Sequence, residues 1–152
     1  MEHLVYCDTK AKVLEKILSG AKTMIIRGAA GRKLPYGRVL KGETLYFIEN
    51  NGEGLIKAKG VVKDVFNSEK MTEEESKKMV SEHLDKLNLT DSQVKRWAGK
   101  RYLCLIEIDN VKKIKPFTIV RQDNMDDWIT VESISTILEG SSVKYQSVRL
   151  TD

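Results

Sequence analysis

The sequence predicts an α+β domain: a small, curved, mainly antiparallel sheet, close to a barrel, with short helices on its outside. Three observations lead there. Strand-like apolar runs recur at six places and helical spacing at four. The segment Asn50-Asn51-Gly52-Glu53-Gly54 is a hairpin turn, so two of the strands pair directly rather than through a long crossover. Gly60 interrupts the longest strand-like run, as a bulge at a barrel corner would.

The elements follow in order. His3 to Cys7 reads as a strand, and Asp8 or Thr9 as the cap of a helix carrying Val13, Leu14, Ile17 and Leu18 on one face. Gly20 stops that helix. Lys22 to Arg27 is a second strand, and Gly28 to Arg38 a loop rich in glycine and basic residues. Thr44 to Ile48 and Leu55 to Phe66 form the hairpin strands. Thr72-Glu73-Glu74-Glu75 is a capping box opening a helix to about Leu84. Thr90 or Asp91 opens another helix through Trp97, closed by Gly99. Tyr102 to Ile108 and Ile114 to Val120 are the last core strands. Asp126 or Asp127 leads into a final helix to about Leu138, stopped by Gly140. Residues 141–152 are either an edge strand or a frayed tail.

The whole chain, residues 1–152, is expected to be one domain. At this length a chain buries roughly 70% of its unfolded surface and needs no disulfide or metal to hold it. Cys7 and Cys104 lie in separate apolar runs with no histidine nearby, so they read as buried thiols of a cytoplasmic protein, with no metal site. No nucleotide-cofactor fingerprint or other cofactor motif is present. No apolar stretch approaches the length of a membrane span, and no leader opens the chain, so a soluble protein without a membrane partner is expected. Net charge is +4, compatible with a polyanionic partner.

The most informative segment runs from Ile17 to Arg27. A helix ends at Gly20, Lys22 follows, and a strand closes in Arg27. On that strand Thr23, Ile25 and Arg27 share one face, and Met24 and Ile26 the other, with Lys22 at the entrance. These residues resemble the signature of the ASCH family, G-x-K-x-x-E-x-R, a branch of the PUA-like superfamily. Gly20, Lys22 and Arg27 match it, and Ile25 stands where the signature has glutamate. Gly37 to Glu43, Gly60 to Val65, the acidic helix after it and Arg101 to Ile108 follow the family's order. The resemblance implies a PUA-like β-barrel with peripheral helices and a cleft beside the helix-to-strand junction, in a class of domains that commonly binds RNA. Some members are acetylcytidine amidohydrolases, and one is a ribonuclease. In the amidohydrolases a lysine, a threonine and a glutamate serve catalysis. Lys22 matches the lysine, the threonine falls on Ile25, and Glu82 and Asp85 are the nearest candidates for the glutamate.

Lys22, Arg27, Arg32, Lys33 and Arg38 place five basic residues in 17 positions with no acid among them. Arginine forks and small-residue backbone N–H groups suit phosphate. Tyr36 is the aromatic candidate for base stacking, whereas Trp97 and Trp128 fit helix packing as well. The expected function is therefore RNA or nucleotide binding, with Lys22, Arg27, Arg32, Lys33, Tyr36 and Arg38 as ligand contacts. The alternative is a small hydrolase acting on a modified nucleoside or RNA, using Lys22 with Thr23 or a carboxylate. Ile25 argues against it, because an apolar side chain is neither nucleophile nor base.

Overall fold

The computed structural model describes residues 1–120 and 127–138. Six strands form a single sheet: β1 (Glu2–Cys7), β2 (Met24–Ala29), β3 (Thr44–Glu49), β4 (Leu55–Asn67), β5 (Tyr102–Thr118) and β6 (Trp128–Val131). Four short helices accompany it: α1 (Val13–Ser19), α2 (Glu73–Glu82), α3 (Leu84–Leu87) and α4 (Asp91–Trp97). The strand order is β2-β5-β4-β3-β1-β6, curled into a half-barrel. Every neighbouring pair is antiparallel except β1 with β3. That parallel pair is joined through α1 and β2, a connection long enough to reverse the chain direction twice.

Several local signals act as the sequence predicts. Gly20 adopts φ +82 and its N–H caps the Ile17 carbonyl of α1. Thr72 and Thr90 each form a complete capping box, with Glu75 and Gln93 respectively. The β4–β5 ladder shifts register between Lys59 and Val61, around Gly60. A Cβ on Gly60 would lie 3.3 Å from the Phe47 ring and 3.1 Å from a Val111 methyl, so a side chain there would require these neighbours to shift by a few tenths of an ångström.

Four expectations are corrected. Ile114 to Val120 is no separate strand: β5 continues unbroken from Tyr102 to Thr118, because β4 is long enough to pair with all of it. The final helix expected from Asp126 or Asp127 to Leu138 is instead β6 followed by a 3₁₀ turn at Ile134–Ile137. Pairing with β1 decides this, since Trp128 to Val131 complete the ladder along Val5 to Glu2. Neither Asp8 nor Thr9 caps α1; Lys12 precedes it in a left-handed conformation, while the Asp8 carboxylate closes the turn before it by accepting from the Lys10 and Ala11 N–H groups. The strand expected from Lys22 begins at Met24, leaving Lys22 and Thr23 ahead of it. Asp126, Gly140 and the expected edge strand or frayed tail at 141–152 lie outside the described residues.

Alternation along β2 divides the interior. Ile25 packs with Cys7, Val13, Leu14 and Ile17 under α1, while Met24 and Ile26 pack with Val80, Leu87 and Trp97 under the other helices. A third cluster of Leu4, Ile48, Ile56, Ile119, Ile134 and Ile137 seats the 3₁₀ turn. With both faces covered, the first half of β2, Met24 to Ile26, reads as a continuous apolar run rather than an alternating one.

Candidate functional site

Where α1 ends, β2 begins and α4 crosses them, the surface folds into a cleft of about 260 Å³. Its apolar wall includes Val13, Ile17, Ile25 and Trp97, and its polar lining includes Lys22, Arg27, Asn50, Gln93 and Arg96. Asp8 and Asp127 also reach it, so the cleft carries three cationic and two carboxylate side chains. A second hollow of about 250 Å³ adjoins it over Arg27, Arg96, Trp97 and Asp127, and extends past Ala29 and Ala30 to Lys33 and Lys100.

Lys22 is the most constrained of the cations. Only 4% of it is exposed, and its ammonium donates to the Leu87 carbonyl at the end of α3. Burial, and after it the positive charge of Arg27, lowers its pKa from 10.5 to about 7. Arg27 is held rigidly. Its Nη1 donates to the Ile26 carbonyl at 2.9 Å and its Nη2 to the Tyr6 carbonyl at 2.9 Å. Its Nε lies 3.1 Å from Asp127 Oδ2, an ion-pair contact not aligned as a hydrogen bond. The guanidinium faces the rings of Trp97 and Trp128 at 6.0 and 5.7 Å. Two of its five N–H donors are thus given to carbonyls, and its position is set before any ligand arrives.

Arg96 stands at the mouth. It shares Asp127 at 3.4 Å, stacks over Trp97 at 4.3 Å and is 58% exposed. One carboxylate therefore stands between two guanidinium groups. Cys7 lines the inner wall, and burial pushes its thiol up to about 12, so it is no nucleophile near neutrality.

Of the residues the sequence singles out, the structure brings Lys22 and Arg27 together in the cleft and Lys33 into the adjoining hollow. Arg32 lies over the rings of Tyr36 and Tyr102, at 6.0 and 5.6 Å. Tyr36 is half-buried, its hydroxyl donates to the Ser68 carbonyl, and its ring meets Tyr102 edge-on. Neither Tyr36 nor Arg38, which is exposed, lines the two hollows. Thr23 lies beside the cleft without lining it, its N–H donating to the Lys86 carbonyl. Glu82 lines a different groove, and Asp85 is exposed. Sequence reasoning missed Gln93, Arg96 and Asp127. The spacing of Gln93, Arg96 and Trp97 along α4 puts them on one helix face, which is the signal that would have found the first two. Among the described residues no group of His, Cys, Asp or Glu is arranged to hold a metal, and no helix is long and apolar enough to cross a membrane.

No family model matches the chain, and no curated protein matches it. Solved structures do. ASCH from Zymomonas mobilis aligns with a TM-score of 0.58 at 13% identity, over 76% of this chain and 71% of that one. A tyrosine-to-phenylalanine mutant of the Zymomonas mobilis protein aligns at 0.67 with 12% identity, over 89% of this chain and 93% of that one. A serine-to-alanine mutant gives 0.66 at 12% identity, over 89% and 91%. At such identities the likeness is one of fold, and the fold of this chain is ASCH-like, an α+β arrangement of the PUA-like kind.

Proposed function

We propose that this protein binds RNA or a nucleotide in the cleft between β2, the end of β1 and α4. The observation that carries the reading is the convergence of Lys22 and Arg27 on one concave surface, with Arg96 at its mouth. These side chains come from separate elements, yet all face a hollow with one aromatic wall. Phosphate oxygens suit the arginine N–H groups, and a base reaches Trp97, itself 5% exposed beneath Arg96, by displacing that guanidinium. The likeness to ASCH structures supports the reading through the RNA-binding habit that the sequence resemblance implies. Lys33 and Lys100 in the adjoining hollow would accept the next phosphate of a strand.

The test is a titration with a short single-stranded RNA at several salt concentrations. If Lys22, Arg27 and Arg96 meet phosphate, the log–log salt slope is about −2, at about 0.7 per neutralised phosphate of a single strand. Arg96→Ala lowers both affinity and slope and leaves the fold intact. Binding that ignores salt, or is unchanged in Arg96→Ala, contradicts the proposal. Affinity also depends on pH. A bound phosphate favours the charged form of Lys22, so binding takes up a proton and weakens as pH rises above about 7.

A hydrolase reading has one observation in its favour: an amine titrating near 7 is suited to act as a base. The lining tells against it. Ile25 is buried in the wall where the similar amidohydrolases carry a threonine, and the Cys7 thiol stays protonated. Incubation with acetylcytidine is expected to yield no deacetylated product, and turnover lost in Lys22→Met would reverse the preference.

A further inference from the structure

The outer halves of β4 and β5 form a two-stranded ribbon whose charge the cleft does not use. From Leu55 to Lys63 the sequence carries Lys57, Lys59 and Lys63 without an acid. From Asn110 to Val120 it carries Lys112, Lys113 and Lys115, again without an acid. The ladder lays these segments against each other, with Lys59 opposite Lys112 and Ala58 opposite Lys113. Lys57 is neutralised by Glu49 and Glu53. Lys59, Lys63, Lys112, Lys113 and Lys115 form no ion pair among the described residues. The flanking acids, Asp64 beside Lys63 and Asp109 before Asn110, turn their carboxylates to the Val65 and Asn110 N–H groups.

Like charges directly opposite each other destabilise a sheet. Lysine on a free strand edge commonly serves to block edge-to-edge aggregation. That explains part of the pattern, because among the described residues β5 past Ile108 pairs with no strand on the β2 side. It does not explain Lys59, which lies on β4 with β3 on one side and β5 on the other. Lys59, opposite Lys112, therefore has no edge to protect. The two lysines flank a groove of about 500 Å³, floored at Gly60 and bounded by Thr44 and Asn110, which supply neutral polar groups.

We propose that this ribbon is a second polyanion surface, which takes the sugar–phosphate backbone of a nucleic-acid strand independently of its sequence. The cleft and the ribbon are separate. Ile106 pairs with Ile25 of the cleft wall, and Lys112 lies six residues further along β5, about 20 Å at 3.3–3.4 Å per residue. A mononucleotide reaches one of the two, whereas a longer strand reaches both. Lysine suits the second role as a point charge that follows backbone phosphates without reading bases.

The experiment compares wild type with Lys112→Gln/Lys113→Gln/Lys115→Gln, substitutions at exposed positions that leave the core untouched. Each protein is titrated with cytidine monophosphate and with a polyuridine of about twenty nucleotides. The variant is expected to bind polyuridine more weakly at low salt, with a log–log slope shallower by about 0.7 for each lysine that meets a phosphate. Its affinity for the mononucleotide is expected to be unchanged. Arg96→Ala does the converse, weakening the mononucleotide most, so failure of the ribbon and failure of the cleft are told apart. Equal affinity and slope for polyuridine in wild type and variant would overturn the proposal. So would a variant that aggregates while binding polyuridine normally, which would make the lysines edge protection only. Loss of binding to phosphatidylserine vesicles with polyuridine binding intact would assign the ribbon to a lipid surface and overturn it likewise.

Discussion

Lys22 combines a charge, near-complete burial and an arginine neighbour, and the combination has a measurable consequence. In the unfolded chain its amine stays protonated up to about 10.5, whereas in the folded protein it loses its proton at about 7. Between those values the unfolded state holds the extra proton, so the contribution of this position to stability rises with pH across that window and is flat below it. Lys22→Met removes the titration. The stability of wild type relative to this variant is then expected to climb between about pH 7 and 9, by no more than about 1.4 kcal/mol per pH unit. Urea unfolding at several pH values measures it, and parallel curves for the two proteins would contradict the buried amine. Lys22 and Arg27 were legible as a pair because they flank one short apolar run within a recognisable motif. Asp127, which sits between Arg27 and Arg96, was not, because a carboxylate contributed from a distant part of the chain leaves no local pattern.

At the scale of elements, the capped helices and the hairpin were readable because caps and turns are local chemistry. The segment from Trp128 to Leu138 was not. Its apolar residues, Trp128, Ile129, Val131, Ile134, Ile137 and Leu138, fit helical spacing, yet most are β-branched and the first four-residue stretch pairs with β1. A tertiary partner decided between two local options of similar merit. Trp128 shows what the strand secures. It is fully buried, and its indole Nε1 donates to His3 Nδ1 at 3.1 Å. His3 Nδ1 therefore accepts, and His3 Nε2, 2.8 Å from Glu43, carries the proton donated to that carboxylate. Trp128→Ala leaves a cavity and removes this donor, and is expected to destabilise the fold by about 3–5 kcal/mol in chemical denaturation. A loss below about 1 kcal/mol would mean that β6 adds little to the sheet.

At the scale of the whole molecule, the half-barrel brings the ends of β1 and β2 beside α4 and makes a cleft from residues scattered through the chain. The sequence marked its basic loop as the ligand rim, but the loop divides: Lys33 joins the adjoining hollow, while Arg32 and Tyr36 pack with Tyr102. Loop charge is visible in a sequence, and the direction in which it points is not. The central claim is that a nucleotide occupies the cleft beside Lys22 and Trp97. The two tryptophans make this directly measurable, because both are buried but only Trp97 borders the cleft. Titrating the ¹⁵N-labelled protein with cytidine monophosphate near pH 6.5, the account predicts that the Trp97 indole resonance moves with saturation and that the movement is lost in Lys22→Met. Nucleotide binding that leaves the Trp97 indole unmoved, or that shifts it equally in Lys22→Met, would contradict it.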